Sequence, residues 1–395
     1  MDKDKLTSIK SNIQKFDPNY TQQYKLKYNQ IIFKIRHPYI DFIRILGMYS
    51  IIIHHILIHG KVIKKYKKYE QLRLMNTFSY WHVSSFALIS GIVGYKTNKY
   101  SNLFYLWLCV VFYCNFIPLA FKVFKQIRIE KINYFYNFFP VVFINKWYFT
   151  KYFGMYLFLP LVNIGILNIS KNDLKLVVIS LLGILIVWKD FMTNLDSFGL
   201  VNGYSVLWLL IFYITGAYLG KYKIKVNAKN KLIFNLIYII IFFGSTLLCF
   251  YLPFYKGKFS KLIIIIKIKQ VFCHRINSFT MILQSISLTL FFSQIKYNKL
   301  VGEIITFLGP LTFGVYLIHE NKYIRSNIIG NLFKKDSLNL PLIKIIFLVI
   351  YRGILIFLIC SMIDYLRNLI FMKIKIRKLC IYLEKQVRKM FIEIF

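Results

Sequence analysis

Apolar residues recur along the chain in long runs separated by short basic or aromatic stretches. Runs of roughly 17–25 mostly apolar residues are the length of membrane-crossing helices. By that criterion the pattern predicts about ten spans, at 40–59, 79–95, 103–124, 147–167, 174–187, 204–219, 232–253, 279–295, 304–319 and 342–370. The fifth is the shortest and has polar neighbours. The expected fold class is all-α, a polytopic transmembrane helix bundle. The segments around it divide into a polar, basic N-terminal tail (1–38), the transmembrane domain (39–370) and a basic amphipathic C-terminal tail (371–395) that should lie on the membrane surface. The first apolar run is expected to persist as a span, because the residues before it are charged rather than an apolar signal core. An even number of spans puts both tails on one side, and their dense Lys/Arg clusters favour the cytosol. The stretch KLIIIIKIKQ, 261–270, is too short to cross and reads as interfacial. No internal repeat is visible.

Composition supports this picture. Of 395 residues 57% are hydrophobic and 18% aromatic, which excludes a soluble domain of ordinary make-up. The formal net charge of +38 would suggest nucleic acid in a soluble chain. Here the Lys residues flank apolar runs and no groove-reading module is present, so membrane lipid headgroups are the expected partner and nucleic acid is not. The six cysteines form no C-x-x-C pair and no zinc spacing, and Cys273-His274 stands isolated. They read as small apolar residues, and no metal is expected.

The first run, DFIRILGMYSIIIHHILIHG, carries charges inside it. Ionisable groups are costly in hydrocarbon and line a cavity or pathway when they occur there. At ~100° per residue, Arg44 and His55 lie within ~20° of one stripe and ~16 Å apart along the axis, whereas His54 points ~80° away. Asp41 stands three residues before Arg44 as an available partner. Threaded with tails inside, His55, His82, Trp147, Tyr148 and His319-Glu320 fall near the outer side, and Asp41, Arg44 and Lys96 near the inner side. Headgroup anchoring is a competing explanation for His59, Trp81, Trp147, Tyr148 and Lys96.

Five ordered motifs then resemble the integral-membrane acyltransferases of the acyltransferase-3 type, in the branch that modifies bacterial surface polysaccharides. They are the Arg44 and His55 spacing, Ser90-Gly91 closing the second span, Trp147-Tyr148 followed by Tyr156, Pro160 and Asn163, the stretch 203–220, and Tyr316 to His319. The chain departs from that pattern at Ile45, where a small residue is common, and in lacking an Arg-x-x-Arg pair after the second span. The resemblance implies transfer of an acyl group, usually acetyl, from cytosolic acyl-CoA to a sugar hydroxyl of a polysaccharide or lipid-linked glycan. It implies His55 and Arg44 as the catalytic residues, with His55 as general base and Arg44 either contacting the donor's phosphates or carbonyl or holding the helix packing through Asp41. Arg44, Asp41 and Lys96 are the donor-binding candidates. His82, Trp147, Tyr148 and His319 are implied on the acceptor side. A bacterial inner membrane is the expected location. A polysaccharide flippase or polymerase would share the composition but not the motifs, and succinyl could replace acetyl. A structural or sensory membrane protein should lack the buried charges. Oligomeric state stays open.

Overall fold

A computed structural model describes residues 37–97, 99–124, 134–143, 146–188, 191, 196–222, 230–251 and 278–394. The N-terminal tail up to residue 36, the stretch 261–270 and Cys273-His274 lie outside them. The described residues form helices joined by turns and short irregular stretches, with no strand among them. Each of the ten predicted stretches contains a helix, but among the described residues six helices are long and apolar enough to cross a membrane by length and composition.

Helix α1, Pro38–His59, is the axis of the bundle. Pro38 opens it, where its missing N–H costs nothing, and Asp41 sits in the favourable first turn. Short helices α2 (Val62–Lys65) and α3 (Gln71–Thr77) follow, then α4 (His82–Gly94) and α5 (Tyr100–Val123). Helix α6 (Tyr134–Phe138) leads to α7 (Trp147–Asn168) and α8 (Lys171–Leu182), which runs on into a π-helical turn, Gly183–Trp188. Helices α9 (Val206–Tyr222), α10 (Lys231–Tyr251) and α11 (Phe279–Ser293) come next. Helix α12 (Lys299–Leu308) and α13 (Thr312–His319) are one apolar stretch broken at Gly309–Leu311. Short α14 (Lys322–Asn327), the long α15 (Leu342–Lys373) and α16 (Ile376–Ile394) complete the chain.

Helix α1 packs against α4, α12, α13 and α15, which buries Ile52, Ile56 and Leu57 completely. Helices α4 and α9 meet backbone to backbone. A Cβ on Gly91 would stand 1.9 Å from the Tyr213 carbonyl oxygen, and one on Gly216 would stand 1.9 Å from that of Leu88. Reciprocal glycines therefore let two backbones touch, as small residues do between membrane helices. This explains the Ser90-Gly91 motif physically. Large apolar side chains remain exposed on α7, α10 and α15, with Ile343 at 80% and Leu161 at 75% exposed. Such faces are sheltered only by lipid.

The long helix α15 also carries charges that its apolar pattern concealed. Asp364 and Arg367 are buried and joined by bonds of 2.8 Å. The Tyr113 hydroxyl donates to Asp364 Oδ1 (2.8 Å), and Arg367 Nη1 donates to the Tyr105 hydroxyl (2.8 Å). This polar clamp fixes α15 to α5.

Helix α16 is amphipathic and docks on the start of α5. Glu384 accepts the backbone N–H groups of Tyr100 (3.2 Å) and Ser101 (2.8 Å), which α5 cannot satisfy internally. Partial burial opposes the charged form of Glu384. The bonds from Ser101, Arg388 and Tyr100 outweigh it and hold the carboxyl below its ordinary value. A lowered carboxylate pKa contributes stability that is present above the ordinary glutamate value and is lost as pH falls through the lowered one. Glu384→Ala should cost about 1 kcal/mol, the usual scale of a lost helix-end acceptor. Hydrogen exchange should then quicken across 376–390 while the core of α1 stays protected.

Candidate active site

Arg44, Met48, Ile51 and His55 occupy positions i, i+4, i+7 and i+11 of α1, and all four line one cavity of about 260 Å³. The predicted stripe is therefore the wall of a cavity with Arg44 toward one end and His55 toward the other. The opposite walls come from α4 (His82, Phe86, Ser90), α7 (Trp147, Tyr148, Tyr152) and the α12–α13 break (Gly309, Thr312, Tyr316). Trp147 and Tyr148 thus turn inward, and Trp81 is buried rather than stationed at an interface.

At one end Arg44 Nη1 bonds Asp41 Oδ1 (2.9 Å) and is itself partly exposed. Asp41 is buried against Gly309, where a Cβ would collide with it at 2.5 Å. Asp41 therefore orients Arg44 and does not line the cavity. Lys96 is not at this site either: it is exposed, with its ammonium 5.5 Å from the Tyr95 ring centre. Helix α4 ends two residues before Lys96, which is not among the residues lining the cavity with Arg44.

At the other end His319 Nδ1 lies 2.6 Å from the Val315 carbonyl oxygen. A carbonyl only accepts, so that nitrogen carries the hydrogen and Nε2 of the neutral ring is an acceptor. His55 Nδ1 lies 3.1 Å from that Nε2 and must donate to it. The lone pair of His55 is consequently on its own Nε2, the nitrogen left for a substrate. Glu320 Oε2 stands 3.0 Å from His55 Nδ1, placed to stabilise an imidazolium if His55 gains a proton. Arg325 pairs with the other Glu320 oxygen. His54, off the stripe, bonds Asn76 instead (2.7 Å). His82 is buried at the head of α4, its Nδ1 against the Ser79 carbonyl.

His55, His319 and Glu320 offer three ligand atoms within 4.8 Å of one another, a donor set that could hold a divalent cation. The Arg325 guanidinium on Glu320 and the direct bond between the imidazoles fit a hydrogen-bonded relay better. Of the site residues predicted from sequence, the structure gathers Arg44, His55, His82, Trp147 and Tyr148 on one cavity and puts His319 directly behind His55. Glu320 is visible in the sequence as an ionisable residue closing the ninth span at the depth of His55, without an assigned role. Lys146 carries no sequence signal of its own. It is buried beside Tyr316, and burial pushes its ammonium down to about 8. The five described cysteines are buried.

With the geometry in place, the family follows. The chain belongs to the acyltransferase-3 family: the model of that family, described as an acyltransferase domain, matches residues 37–363. No curated protein and no solved structure matches the chain. The protein is thus a multi-pass membrane acyltransferase.

If His319 sets the tautomer of His55, His319→Ala should lower kcat by roughly 10²-fold, a fraction of the loss of a base. KM for the donor should change little. Steady-state kinetics on the solubilised variant separates the two, and an unchanged kcat would remove His319 from the relay.

Proposed function

We propose that this acyltransferase moves an acyl group, acetyl by preference, from cytosolic acyl-CoA to a hydroxyl of a cell-surface polysaccharide or lipid-linked glycan. The observation that carries the reading is the fixed tautomer of His55, which leaves Nε2 basic in a cavity that also holds Arg44. The acceptor hydroxyl gives its proton to His55 Nε2 as its oxygen attacks the thioester carbonyl. The C–S bond then breaks, the new ester forms, and the imidazolium returns the proton to the departing thiolate. Glu320 and His319 hold the imidazole in register during both transfers. A cavity of about 260 Å³ suits a slim acyl-bearing arm rather than a glycan, so the acceptor meets the thioester at one end. Trp147, Tyr148 and His82 offer a stacking and hydrogen-bonding rim for a sugar. Arg44, oriented by Asp41, faces the donor. The tails are cytosolic and the membrane is a bacterial inner membrane, which puts the Arg44 end toward the CoA pool.

The test is reconstitution of the purified chain in vesicles with acetyl-CoA labelled in the acetyl group and a glycan acceptor. Release of free CoA thiol with base-labile label on the glycan is expected, and label from succinyl-CoA alone would replace acetyl by succinyl. Glycan movement across the vesicle wall without acyl-CoA consumption would replace the enzyme by a transporter.

A further inference from the structure

A second cavity, of about 400 Å³, lies where α16 docks on the start of α5. Its walls carry four cationic side chains, Lys99, Arg377, Lys385 and Arg388, against one acidic group, Glu384. Glu384 is already committed to the N–H groups of α5 and to Arg388 (2.9 Å). Among the described residues no acidic side chain pairs with Lys99, Arg377 or Lys385. The Arg377 guanidinium is held over the Tyr105 ring, 4.4 Å from its centre, so one face of the cavity is a positioned cation on an aromatic plate.

A row of tyrosines on α7 runs from the first cavity to the Lys99 backbone at the edge of the second. Tyr148 and Tyr152 line the first cavity, with ring centres 6.3 Å apart. Tyr156 continues the row, 6.1 Å from Tyr152, and its hydroxyl donates to the Lys99 carbonyl (2.8 Å). Positions i, i+4 and i+8 cover about 12 Å of helix. Arg377, Lys385 and Arg388 all lie beyond residue 363, where the family match ends.

We propose that this cavity binds phosphate esters, namely the phosphates at the nucleotide end of the acyl-CoA donor, while the acyl arm reaches along the tyrosine ladder to His55. Guanidinium and ammonium groups that converge on one cavity recognise phosphate through charge-assisted hydrogen bonds. Adenine could stack near the Arg377 and Tyr105 pair. The proposal rests on the acyl-CoA reading above. An anionic phospholipid headgroup carries the same phosphate chemistry, so the test separates the two sources.

The probe is free CoA, titrated calorimetrically into full-length protein in nanodiscs of phosphatidylcholine. The double variant Arg377→Ala with Lys385→Ala should bind CoA at least about tenfold more weakly, the scale of losing two charge-assisted bonds. Its melting temperature should stay at the wild-type value. The charge-keeping variant Arg377→Lys with Lys385→Arg should retain most of the affinity. Equal CoA affinity in wild type and the Ala double variant would overturn the site and leave the acyl-CoA reading standing. No CoA binding by the wild type would overturn that reading first, and the site with it. A parallel arm uses phosphatidylglycerol nanodiscs and native mass spectrometry. Loss of bound phosphatidylglycerol by the double variant, with CoA affinity intact, would assign the cavity to lipid and overturn its assignment to the donor.

Discussion

His55→Ala is expected to lower acyl transfer by at least about 10²- to 10⁴-fold, the range supplied by a positioned general base. The variant should still insert and fold. His55 is one wall residue of a cavity whose other walls come from α4, α7, α12 and α13, and it makes no contact between helices as close as the Gly91–Gly216 crossing. Its loss removes the basic nitrogen that the His319 relay points at the cavity. His54→Ala is the informative partner, because His54 is adjacent in sequence yet faces Asn76 off the stripe. That variant should keep most of its activity. Comparable losses from both would mean that the imidazoles matter for packing rather than for proton transfer.

The second large effect is on folding. Asp364→Ala should cost about 3–5 kcal/mol, because it strands Arg367 as an uncompensated buried cation and frees the Tyr113 hydroxyl. The expected result is a sharply lower melting temperature in detergent and poor accumulation in the membrane. Replacing both members, Asp364→Leu with Arg367→Met, should recover much of the loss, since a buried ion pair is often matched by apolar side chains of similar volume. A single Asp364→Ala variant that melts with the wild type would show that Arg367 reaches water or lipid headgroups instead. Asp364 packs so closely on Gly314 that a Cβ built there would stand 1.9 Å from the carboxylate, which makes Asp364→Leu the more demanding half of the double variant.

What the sequence made legible depended on whether the relevant residues share an element. Arg44 and His55 share one helix, so their common face follows from periodicity, and the cavity wall through Met48 and Ile51 bears this out. The His55–His319 bond joins residues 264 apart, which no helical period can connect. Span threading and the family motif raise His319 at the depth of His55, but the hydrogen bond from its ring to Val315 follows only from the coordinates. The Asp364–Arg367 pair was within reach as an i, i+3 pair of opposite charges, but the surrounding apolar run hid it. The count of spans also depends on tertiary context. Helix α4 is 13 residues long and α11 is 15, lengths that read as spans only when loops at their ends are added to the apolar run. Depth alone groups Lys96 with Arg44, whereas Lys96 follows the end of α4 and is exposed outside the Arg44 cavity.

The measurement that bears most directly on the central claim is ester analysis of surface glycan from host cells lacking this protein, complemented with wild type or with His55→Ala. The expected result is that O-acyl groups vanish on deletion, return with wild type, and stay absent with a His55→Ala protein present at the wild-type level in the membrane. Unchanged acylation on deletion, with altered glycan export or chain length, would contradict it and assign the cavity to transport.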